Sequence, residues 1–419
     1  MFEGKVIIVG VTGGIGAYKI VDLVSKLTQR GAEVHVIMTE AAREFVTPLT
    51  FETLSRHRVI CGLFDRAAVQ RHTGLVAEVP EFEIDHVALT DRADCFVVAP
   101  ATANIIAKMS NGIADDALST FLVAAECPIV VAPAMNTRMW ENPITQENAA
   151  RLKRLGCRFA GPEVGRLASG AIGAGRLVSN EEIMYVIEDA LAGRPADLSG
   201  VRVLVTSGPT REYIDPVRFI SAPSTGKMGD ALARAALCRG AEVTLVTGPT
   251  GLPGPAAARR IDVVTTGELF DAVMAEAERT DVFIGAAAPA DYTVDDPCEA
   301  KLKAEDNERP AIRLRRTGDV AAAFGAKKGD RVAVVFAAET HDLLANAKEK
   351  LRKKNADLIV ANDVTQEGAG FGSDTNIVTL IRANGETIQL PRMSKREVAE
   401  RVLDEVVAIR RQRGGECGG

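Results

Sequence analysis

The sequence predicts an α/β protein built from two doubly wound, mostly parallel-sheet domains, and three observations support this fold class. The chain has 419 residues, and domains average roughly 150 residues, which favours two domains. Short β-branched runs alternate with helical stretches, which is typical of strand–helix–strand units. The pattern begins twice, near Gly4 and near Gly200. We therefore expect one domain over residues 1-190 and a second over residues 191-419.

Both halves open with a buried strand that ends in Thr and Gly. Val6–Val11 leads into Thr-Gly-Gly-Ile-Gly, and Val201–Val205 leads into Thr-Ser-Gly-Pro-Thr. Further along, Arg30-Gly-Ala-Glu-Val and Arg239-Gly-Ala-Glu-Val repeat the same five letters, each between a helical stretch and a second strand. Glycine ends the helix in both cases. The repeat predicts two Rossmann-like or flavodoxin-like domains, joined by a linker over Leu191–Ser199.

The remaining elements follow from apolar periodicity and turn signals. Helices are predicted over Ala17–Gln29, Met228–Cys238 and, at the end of the chain, Lys395–Arg411. Further strands are predicted over Cys95–Ala99, Ile129–Ala132, Arg158–Ala160, Ile261–Val264, Val282–Ala286, Val332–Ala337 and Leu358–Ala361. Ile377–Arg382 and Thr387–Leu390 flank Asn384-Gly385, a dipeptide that favours tight hairpin turns, so an antiparallel hairpin is added to the second sheet.

Charge and composition exclude several functional classes. The chain carries 50 Lys+Arg against 56 Asp+Glu, a formal net charge of −6, and the absence of basic runs argues against nucleic-acid binding. Its apolar stretches are shorter than the ~20 residues of a membrane span, and the first strand leaves no room for a signal peptide. The seven cysteines lie far apart without a Cys-x-x-Cys pair. This spacing argues against a disulfide framework or a zinc site and fits a reducing cytoplasm.

A glycine-rich loop, Gly10-Val-Thr-Gly-Gly-Ile-Gly16, follows the first strand. Glycines in such a loop let backbone N–H groups approach phosphate oxygens, although similar loops also occur for packing alone. A short-chain dehydrogenase would need Lys four residues after a catalytic Tyr. The residues at that distance from the four tyrosines are Asp22, Asp189, Val217 and Asp296, so this alternative is excluded.

Polar side chains follow two further strands of the first half. Thr102 and Asn104 come after the strand at Cys95, and Asn136 with Met139 comes after the next strand. Because α/β sheets bind ligands at the carboxyl ends of their strands, these residues are candidate ligand contacts. His86 is expected in a polar connection before the strand at Cys95. Taken singly, each residue also has a structural explanation: Thr102 as a helix cap, Met139 as core, His86 as a solvated residue.

Taken together, five spaced blocks resemble the flavin-containing cysteine decarboxylases. They are Gly13-Gly-Ile-Gly-Ala-Tyr-Lys19, Met38-Thr-Glu-Ala-Ala-Arg-Glu-Phe-Val-Thr-Pro48, His86-Val-Ala-Leu, Ala99-Pro-Ala-Thr-Ala-Asn104 and Pro133-Ala-Met-Asn-Thr-Arg-Met-Trp140. The second half, from Thr206-Ser-Gly-Pro-Thr-Arg-Glu through Ala361-Asn-Asp, looks like phosphopantothenate–cysteine ligase. Residues 4–410 thus resemble the bacterial fusion of phosphopantothenoylcysteine decarboxylase with this ligase, which catalyses two successive steps of coenzyme A synthesis.

For the first half, the resemblance implies FMN-dependent decarboxylation of 4′-phosphopantothenoylcysteine to 4′-phosphopantetheine. Oxidation of the cysteine sulfur by the flavin would create a C=S group that accepts the electrons left behind by CO₂. His86 would be the catalytic base, and Asn136 would bind the substrate carboxylate. The implied FMN contacts are Gly13, Gly14, Thr39, Phe45, Thr102 and Asn104. Where the family has a proton-donating Cys, this chain has Ser169, a far weaker acid than a thiol of pKa ~8.5.

For the second half, the resemblance implies CTP-dependent ligation of cysteine to 4′-phosphopantothenate through an acyl-cytidylate, with Mg²⁺ or Mn²⁺. The implied CTP contacts are Gly285, Ala286, Ala287, Asp291, Lys301, Gly318, Asp319, Val320, Phe336, Lys350 and Lys354, while the metal ligands stay unassigned. Lys350 and Lys354 share one helix face, where they repel each other unless an anion lies between them. Ala222 replaces an Asn of the family, which predicts a slower amide-forming step.

The departures at Ser169 and Ala222 leave two alternatives open. One is a flavin-dependent oxidative cysteine decarboxylase, acting on a cysteine-ended peptide, with an impaired ligase half. The other is a flavin-binding regulatory protein that acts by docking. In either case the resemblance implies a homo-oligomer: trimers of the flavin domain with flavin sites between subunits, and dimers of the ligase domain, combined into a dodecamer.

Overall fold

A computed structural model of the chain describes residues 2–62, 85–303, 311–339 and 342–416, apart from 364, 365, 367, 369 and 371. The side chains of residues 85–88 and 414–416 lie outside this description. The chain divides into two compact units, Met1–Arg194 and Pro195–Gly419. Within the described part of the chain, every helix is too short or too polar to cross a membrane.

The first unit has a five-stranded parallel sheet in the order β2-β1-β3-β4-β5. These strands are β1 (Val6–Val11), β2 (Glu33–Met38), β3 (Cys95–Ala101), β4 (Ile129–Pro133) and β5 (Arg158–Phe159). This is the flavodoxin-like order, in which successive connections diverge between β1 and β3. The predicted doubly wound fold of the first half is confirmed.

The sheet of the first unit is covered by helices: α1 (Ala17–Gln29), α2 (Glu40–Arg43), α3 (Pro48–Ser55), α4 (Asp85–Arg92), α5 (Ala103–Asn111), α6 (Ala117–Ala124), α7 (Thr137–Trp140), α8 (Pro143–Arg154) and α9 (Asn180–Leu191). Helix α1 has the predicted bounds. Its buried residues Ile20, Leu23, Val24 and Leu27 follow the helical period, so one face packs into the core, and each of these side chains contributes roughly 1.5–3 kcal/mol by burial.

A two-stranded hairpin follows β5. Its strands, β6 (Glu163–Arg166) and β7 (Ile172–Arg176), are antiparallel. The sequence analysis predicts no hairpin here, because β7 contains Gly173 and Gly175 and lacks the alternation of polar and apolar residues that indicates a half-buried strand.

The second unit has an eight-stranded sheet in the order β12-β11-β8-β13-β16-β17-β19-β20. Its strands are β8 (Arg202–Ser207), β11 (Glu242–Thr247), β12 (Arg259–Asp262), β13 (Val282–Gly285), β16 (Val332–Glu339), β17 (Leu358–Asp363), β19 (Val378–Arg382) and β20 (Thr387–Gln389). The first six are parallel, in the Rossmann order whose switch point lies between β8 and β13. β19 and β20 add to β17 as an antiparallel hairpin, so the predicted hairpin is confirmed.

Small two-stranded pieces and helices complete the second unit. The strand pairs are β9 (Arg211–Tyr213) with β10 (Phe219–Ser221), β14 (Tyr292–Val294) with β15 (Leu314–Arg316), and β18 (Thr375–Asn376) with β21 (Met393–Ser394). The α-helices are α10 (Lys227–Cys238), α11 (Thr266–Glu276), α12 (Val320–Lys327), α13 (Leu343–Lys353) and α14 (Lys395–Glu416).

Two predicted bounds in this unit are wrong. The strand predicted at Ile261–Val264 is shifted to Arg259–Asp262, because Arg259 and Arg260 pair with β11 while Thr265 caps the next helix. The closing helix extends past Arg411. The guanidinium of Arg413 donates to the carbonyl oxygens of Asp330 and Arg331 at 3.0 Å each, which holds the last turns in place.

Candidate functional site

A buried threonine joins the carboxyl ends of β1 and β3. Thr12 Oγ1 donates to the carbonyl oxygen of Pro100 at 2.5 Å and accepts from the backbone N–H of Thr102 at 3.3 Å. Only 2% of Thr12 is exposed, so both partners are satisfied away from water. The loop after β1 and the turn after β3 are thereby fixed together, at the switch point where flavodoxin-like sheets bind their ligand.

The glycine loop after β1 packs too closely for side chains. A Cβ on Gly13 would lie 2.4 Å from Ala41 Cβ, and one on Gly16 would lie 3.2 Å from Leu177 Cδ2. Gly14 has more room, 3.7 Å from Thr102 Cγ2. Among the described residues, no side chain caps the start of helix α1. Its first-turn N–H groups therefore suit an anion such as a phosphate.

Two predicted flavin contacts follow β2. The backbone N–H of Thr39 donates to the carbonyl of Val11 at 3.1 Å, and Thr39 Oγ1 caps α2 by accepting from Ala42 N at 3.3 Å. The structure thus brings Thr39 to the end of β1. Phe45 follows α2 and is 47% exposed. An aromatic ring exposed to this extent can cover an apolar ring system.

The predicted contacts after β3 lie at the start of helix α5. Thr102 Oγ1 accepts from Ile105 N at 3.5 Å, so the structural explanation of Thr102 as a helix cap is confirmed. The same residue contacts Thr12 through its backbone, and Asn104 is exposed in the first turn. Thr102 and Asn104 therefore lie at the carboxyl end of β3, beside the switch point. The start of their helix is capped by Thr102 itself.

Asn136 follows β4 and caps the short helix α7, where its Oδ1 accepts from Arg138 N at 2.9 Å. This leaves the exposed amide nitrogen of Asn136 directed to other partners. Next to it, the backbone N–H of Met135 donates to the carbonyl of Gly175 at 2.9 Å. A Cβ on Gly175, which has φ +133°, would lie 2.3 Å from the Met135 oxygen. The β6–β7 hairpin is thus seated directly on the Asn136 segment, and Met139 is 48% exposed beside it.

Ser169 lies in the exposed turn of this hairpin. The turn is closed by backbone hydrogen bonds from Gly170 N to the Leu167 oxygen at 2.9 Å and from Leu167 N to the Ala171 oxygen at 2.8 Å. Because β7 contacts the Asn136 segment, the structure places Ser169 and Asn136 on neighbouring pieces of chain that lie far apart in sequence.

His86 lies within helix α4, so the expected polar connection is wrong. Its side chain lies outside the described residues. Of the described side chains of this helix, Leu89 packs against the core and Thr90 is buried. An eight-residue helix with one described apolar contact shows too little periodicity to recognise in the sequence.

In the second unit, a cavity of about 130 Å³ opens at the carboxyl ends of the central strands. Thr206 of β8, Gly285 of β13 and Phe336 of β16 line it, which places the cavity beside the switch point. Most of the predicted CTP contacts line it, namely Gly285, Ala287, Asp291, Gly318, Asp319, Val320, Phe336 and Lys354. Ala286, Lys301 and Lys350 are described but are not among the lining residues.

An ion pair lies in the wall of this cavity. Lys354 Nζ donates to both carboxylate oxygens of Asp319, at 2.7 and 2.9 Å, and the Lys354 side chain is 18% exposed. Asp319 Oδ1 also accepts from Ala322 N at 3.0 Å and so caps helix α12. Burial raises the pKa of Asp319, but the Lys354 ammonium and the Ala322 N–H outweigh it and hold this pKa below its ordinary value. Asp319 is therefore charged at neutral pH.

Lys350 has a different partner. Its Nζ lies 2.7 Å from Oε1 of Glu339, a buried carboxylate at the end of β16. Lys350 and Lys354 are thus each neutralised by their own carboxylate, and the repulsion expected between them is relieved without a bound anion.

Three threonines that support the cavity wall are not predicted as site residues from the sequence. The hydroxyls of Thr206 and Thr210 accept from the backbone N–H groups of Ala287 at 3.2 Å and Ala290 at 2.9 Å. Thr317 Oγ1 donates to the Ala290 oxygen at 2.7 Å. The signal that could have indicated one of them is the position of a threonine at a strand end, because Thr206 lies near the end of β8 and Thr12 directly follows β1.

The segment Thr225-Gly-Lys-Met-Gly229 packs against the end of β8. Ser207 Oγ donates to the Gly226 oxygen at 3.0 Å, and a Cβ on Gly229 would lie 2.5 Å from Ser207 Cβ. Lys227 Nζ donates to Asp374 Oδ1 at 2.6 Å. Ala222 is half-buried in the chain just before this segment.

Each of the two units matches the model of a known protein family. The model of the family described as "Flavoprotein" matches residues 1–192, and that of the "DNA/pantothenate metabolism flavoprotein C-terminal domain" matches residues 198–409. The curated "Coenzyme A biosynthesis bifunctional protein CoaBC" of Bacillus subtilis is 44% identical over 99% of this chain and 99% of its own length. The protein of the same name from Escherichia coli K12 is 41% identical over 96% of this chain and 97% of its own length.

Solved structures are similar to each half. The crystal structure of a CoaBC C-terminal domain is 40% identical, covers 51% of this chain and 97% of its own, and has a TM-score of 0.44. The FMN-dependent cysteine decarboxylase SpaF is 31% identical, covers 46% of this chain and 98% of its own, and has a TM-score of 0.37. Because the chain is 41–44% identical to these curated proteins over nearly its full length, it belongs to the family of the coenzyme A biosynthesis bifunctional protein CoaBC.

Proposed function

We propose that the chain catalyses two successive steps of coenzyme A biosynthesis. The second unit joins cysteine to 4′-phosphopantothenate at the expense of CTP, and the first unit decarboxylates the resulting 4′-phosphopantothenoylcysteine to 4′-phosphopantetheine. The observation that carries this proposal is family membership over nearly the whole chain, with both halves represented. In each unit the candidate residues lie at the switch point of the sheet, which supports a ligand there.

The residues around the β1–β3 switch point fit a flavin mononucleotide. The start of α1, which no described side chain caps, suits a phosphate, and the exposed Phe45 suits an apolar ring. We assign Gly13, Gly14, Thr39, Phe45, Thr102 and Asn104 to FMN. When bound, FMN would take up an electron pair as the substrate thiol is oxidised and return it to the product after CO₂ has left, so that the overall decarboxylation is redox-neutral. The protein binds and orients the substrate and moves its protons.

Asn136 and the β6–β7 hairpin form the substrate side of the proposed decarboxylase site. The Asn136 amide nitrogen donates to the substrate carboxylate without adding a charge that would hold the carboxylate back from leaving as CO₂. His86 acts as the base that takes the thiol proton. We assign Ser169, in the turn of the hairpin seated on the Asn136 segment, the role of returning a proton to the product or of orienting a water that does so.

The cavity of the second unit is the proposed CTP site. Its wall offers the Lys354 ammonium for polyphosphate and Phe336 for stacking on the base. Lys301 and Lys350 then act on phosphates that extend beyond the cavity. A divalent cation, Mg²⁺ or Mn²⁺, is required to neutralise the triphosphate, and its ligands come in part from the nucleotide itself.

We further propose that the chain functions as a cytoplasmic homo-oligomer, with trimeric contacts through the flavin unit and dimeric contacts through the ligase unit. Ile15, Tyr18 and Ile172 of the first unit are large apolar side chains that are more than half exposed. Such residues are normally covered by a partner when they form a patch. The cysteines that the structure describes are free, which fits a reducing compartment.

The reaction itself tests the proposal. Purified protein supplied with FMN, 4′-phosphopantothenate, cysteine, CTP and Mg²⁺ should release CO₂ and cytidine monophosphate in equal amounts and form 4′-phosphopantetheine.

Ser169 supports a second candidate function, an oxidative decarboxylase that stops at the oxidised enethiol, since a serine hydroxyl is a poor acid. Mass spectrometry separates the two, because the oxidised product is two mass units (two hydrogens) lighter. Ser169→Cys should shift any such product toward the reduced thiol, with Ser169→Ala as the control.

A further inference from the structure

Two histidines and a glutamate converge at the amino end of β2, the outer strand of the first sheet. Glu33 and His35 are two residues apart on this strand, so their side chains leave the same face. His57 follows helix α3, and the chain after it runs beside β2, where Ile60 N donates to the Val36 oxygen at 2.9 Å. One nitrogen or carboxylate oxygen from each of the three side chains lies within 4.8 Å of the others.

We propose that Glu33, His35 and His57 form a site for a divalent transition metal, with Zn²⁺ as the favoured ion, that fastens the chain after α3 to the sheet edge. Two imidazole nitrogens and one carboxylate oxygen are ligands of the type that zinc takes in proteins, with water in the fourth position. The three side chains are half-buried, which leaves that fourth position accessible. The cysteine spacing could not indicate this site, because its ligands are not cysteines.

The distances fit such an ion. Metal–ligand bonds of roughly 2.0–2.2 Å on a tetrahedral ion place the ligand atoms about 3.3–3.6 Å apart. His35 Nε2 and Glu33 Oε1 are 2.8 Å apart, a hydrogen bond that a metal would replace. The widest of the three separations is within 4.8 Å, so side-chain movements of about 1 Å bring all three ligands to bonding distance.

The two imidazole rings are held in place before any ion binds. Their centroids lie 4.3 Å apart with 33° between the ring planes. Rings packed this closely have already lost much of their rotational freedom, so less conformational entropy is lost when they bind an ion. The site also lies away from the flavin side of the sheet, since Glu33 and Thr39 are separated by roughly 20 Å along β2. It is therefore a structural site, independent of the proposed decarboxylation.

Arg92 is the cation that faces this site. Its Nη2 donates to both carboxylate oxygens of Glu33, at 2.9 and 3.2 Å. A bound dication would compete for the same oxygens and be repelled by the guanidinium. If the ion binds beside Glu33, replacing Arg92 by a neutral residue must strengthen metal binding, whereas replacing a ligand must weaken it.

The test is equilibrium dialysis of the metal-stripped flavoprotein against buffered ZnCl₂, with bound zinc counted by mass spectrometry. The expected result is one zinc per chain for the wild type. His57→Phe keeps a ring for stacking but removes a ligand, and should weaken binding at least ~10-fold. Arg92→Gln should tighten it several-fold. His341→Phe, at a histidine of the other unit, is the matched control and should bind as the wild type does.

Thermal unfolding of the same variants provides a second measurement. Zinc should raise the Tm of the wild type and of His341→Phe but leave that of His57→Phe unchanged. Failure of the wild type to bind stoichiometric zinc would overturn the proposal, as would equal binding by His57→Phe. An unchanged or weaker affinity in Arg92→Gln would contradict the placement of the ion beside Glu33. None of these results depends on coenzyme A chemistry, so they are separate from tests of the proposed function.

Discussion

Replacing Lys354 by Gln removes the cation in the wall of the proposed CTP cavity. Lys354 is paired with Asp319 at 2.7 Å, so in the proposed complex CTP would gain only the difference between a phosphate and this carboxylate as a partner of Lys354. Full Coulomb attraction at ~4 Å and an effective dielectric constant of 20 is about 4 kcal/mol, an upper bound. A hydrogen bond to a charged group contributes about 1.5–3 kcal/mol net. We therefore expect the KM for CTP to rise roughly 10- to 100-fold.

Lys353→Gln is the matched control. Lys353 is the preceding residue and the last of helix α13, it is exposed, and its replacement changes the net charge equally. Asp319 keeps its bond to Ala322 N in both variants, so the helix start should remain intact. The assay is cytidine monophosphate release at saturating phosphopantothenate and cysteine, with varied CTP. A change in KM below threefold for Lys354→Gln, or an equal rise for Lys353→Gln, would refute the assignment of Lys354 to the nucleotide.

Three further predictions concern the first unit. Thr12→Val leaves the buried Pro100 oxygen without its hydrogen-bond donor. It should lower the free energy of unfolding by about 1–3 kcal/mol, measured by urea unfolding, and weaken FMN retention, measured by flavin fluorescence. Thr12→Ser keeps the hydroxyl and should change neither quantity. Gly175→Ala should sharply reduce CO₂ release, because its Cβ would lie 2.3 Å from the Met135 oxygen, while Gly62→Ala, with nothing within 4 Å of its Cβ and no positive φ, should retain most activity. Asp116→Asn should destabilise the protein at neutral pH, and this destabilisation should shrink as the pH falls below about 4 and disappear only below the lowered pKa that Asp116 has in the folded state. Burial raises the pKa of Asp116, but Lys108 and Ser119 outweigh this effect and hold the pKa below its ordinary value. The stabilisation is therefore fully present above the unfolded-state pKa and is lost as the pH falls through the folded-state pKa. An equal difference in unfolding free energy between variant and wild type at neutral and at low pH would contradict this reasoning.

Much of the fold follows from local sequence patterns. Helix α1 has its predicted bounds because its four buried residues follow one helical face. The antiparallel hairpin is predictable because Asn384-Gly385 favours one kind of turn. The β6–β7 hairpin is not predictable in this way. Its glycines are required by contacts with Met135 and Thr137, which lie on a different strand connection and leave no local pattern.

In the candidate sites, too, some residues are predictable from local sequence patterns and others depend on contacts between distant segments. Motif blocks could indicate Thr102 and Asn136 by residue type and by their positions after strands. They could not indicate Thr12, because its role depends on the Pro100 oxygen, 88 residues away in sequence. Likewise the partners of Lys350 and Lys354 belong to a strand and a helix start elsewhere in the unit. Contacts between distant segments decide these roles, and sequence periodicity does not report them.

The most direct test of the proposed function counts CO₂ and cytidine monophosphate released from 4′-phosphopantothenate, cysteine and CTP by the FMN-loaded protein. We predict equal amounts from the wild type. His86→Asn should abolish CO₂ release while cytidine monophosphate continues to form and 4′-phosphopantothenoylcysteine accumulates. Release of neither product by the wild type, or undiminished CO₂ from His86→Asn, would contradict the assignment of ligation and decarboxylation to the two units.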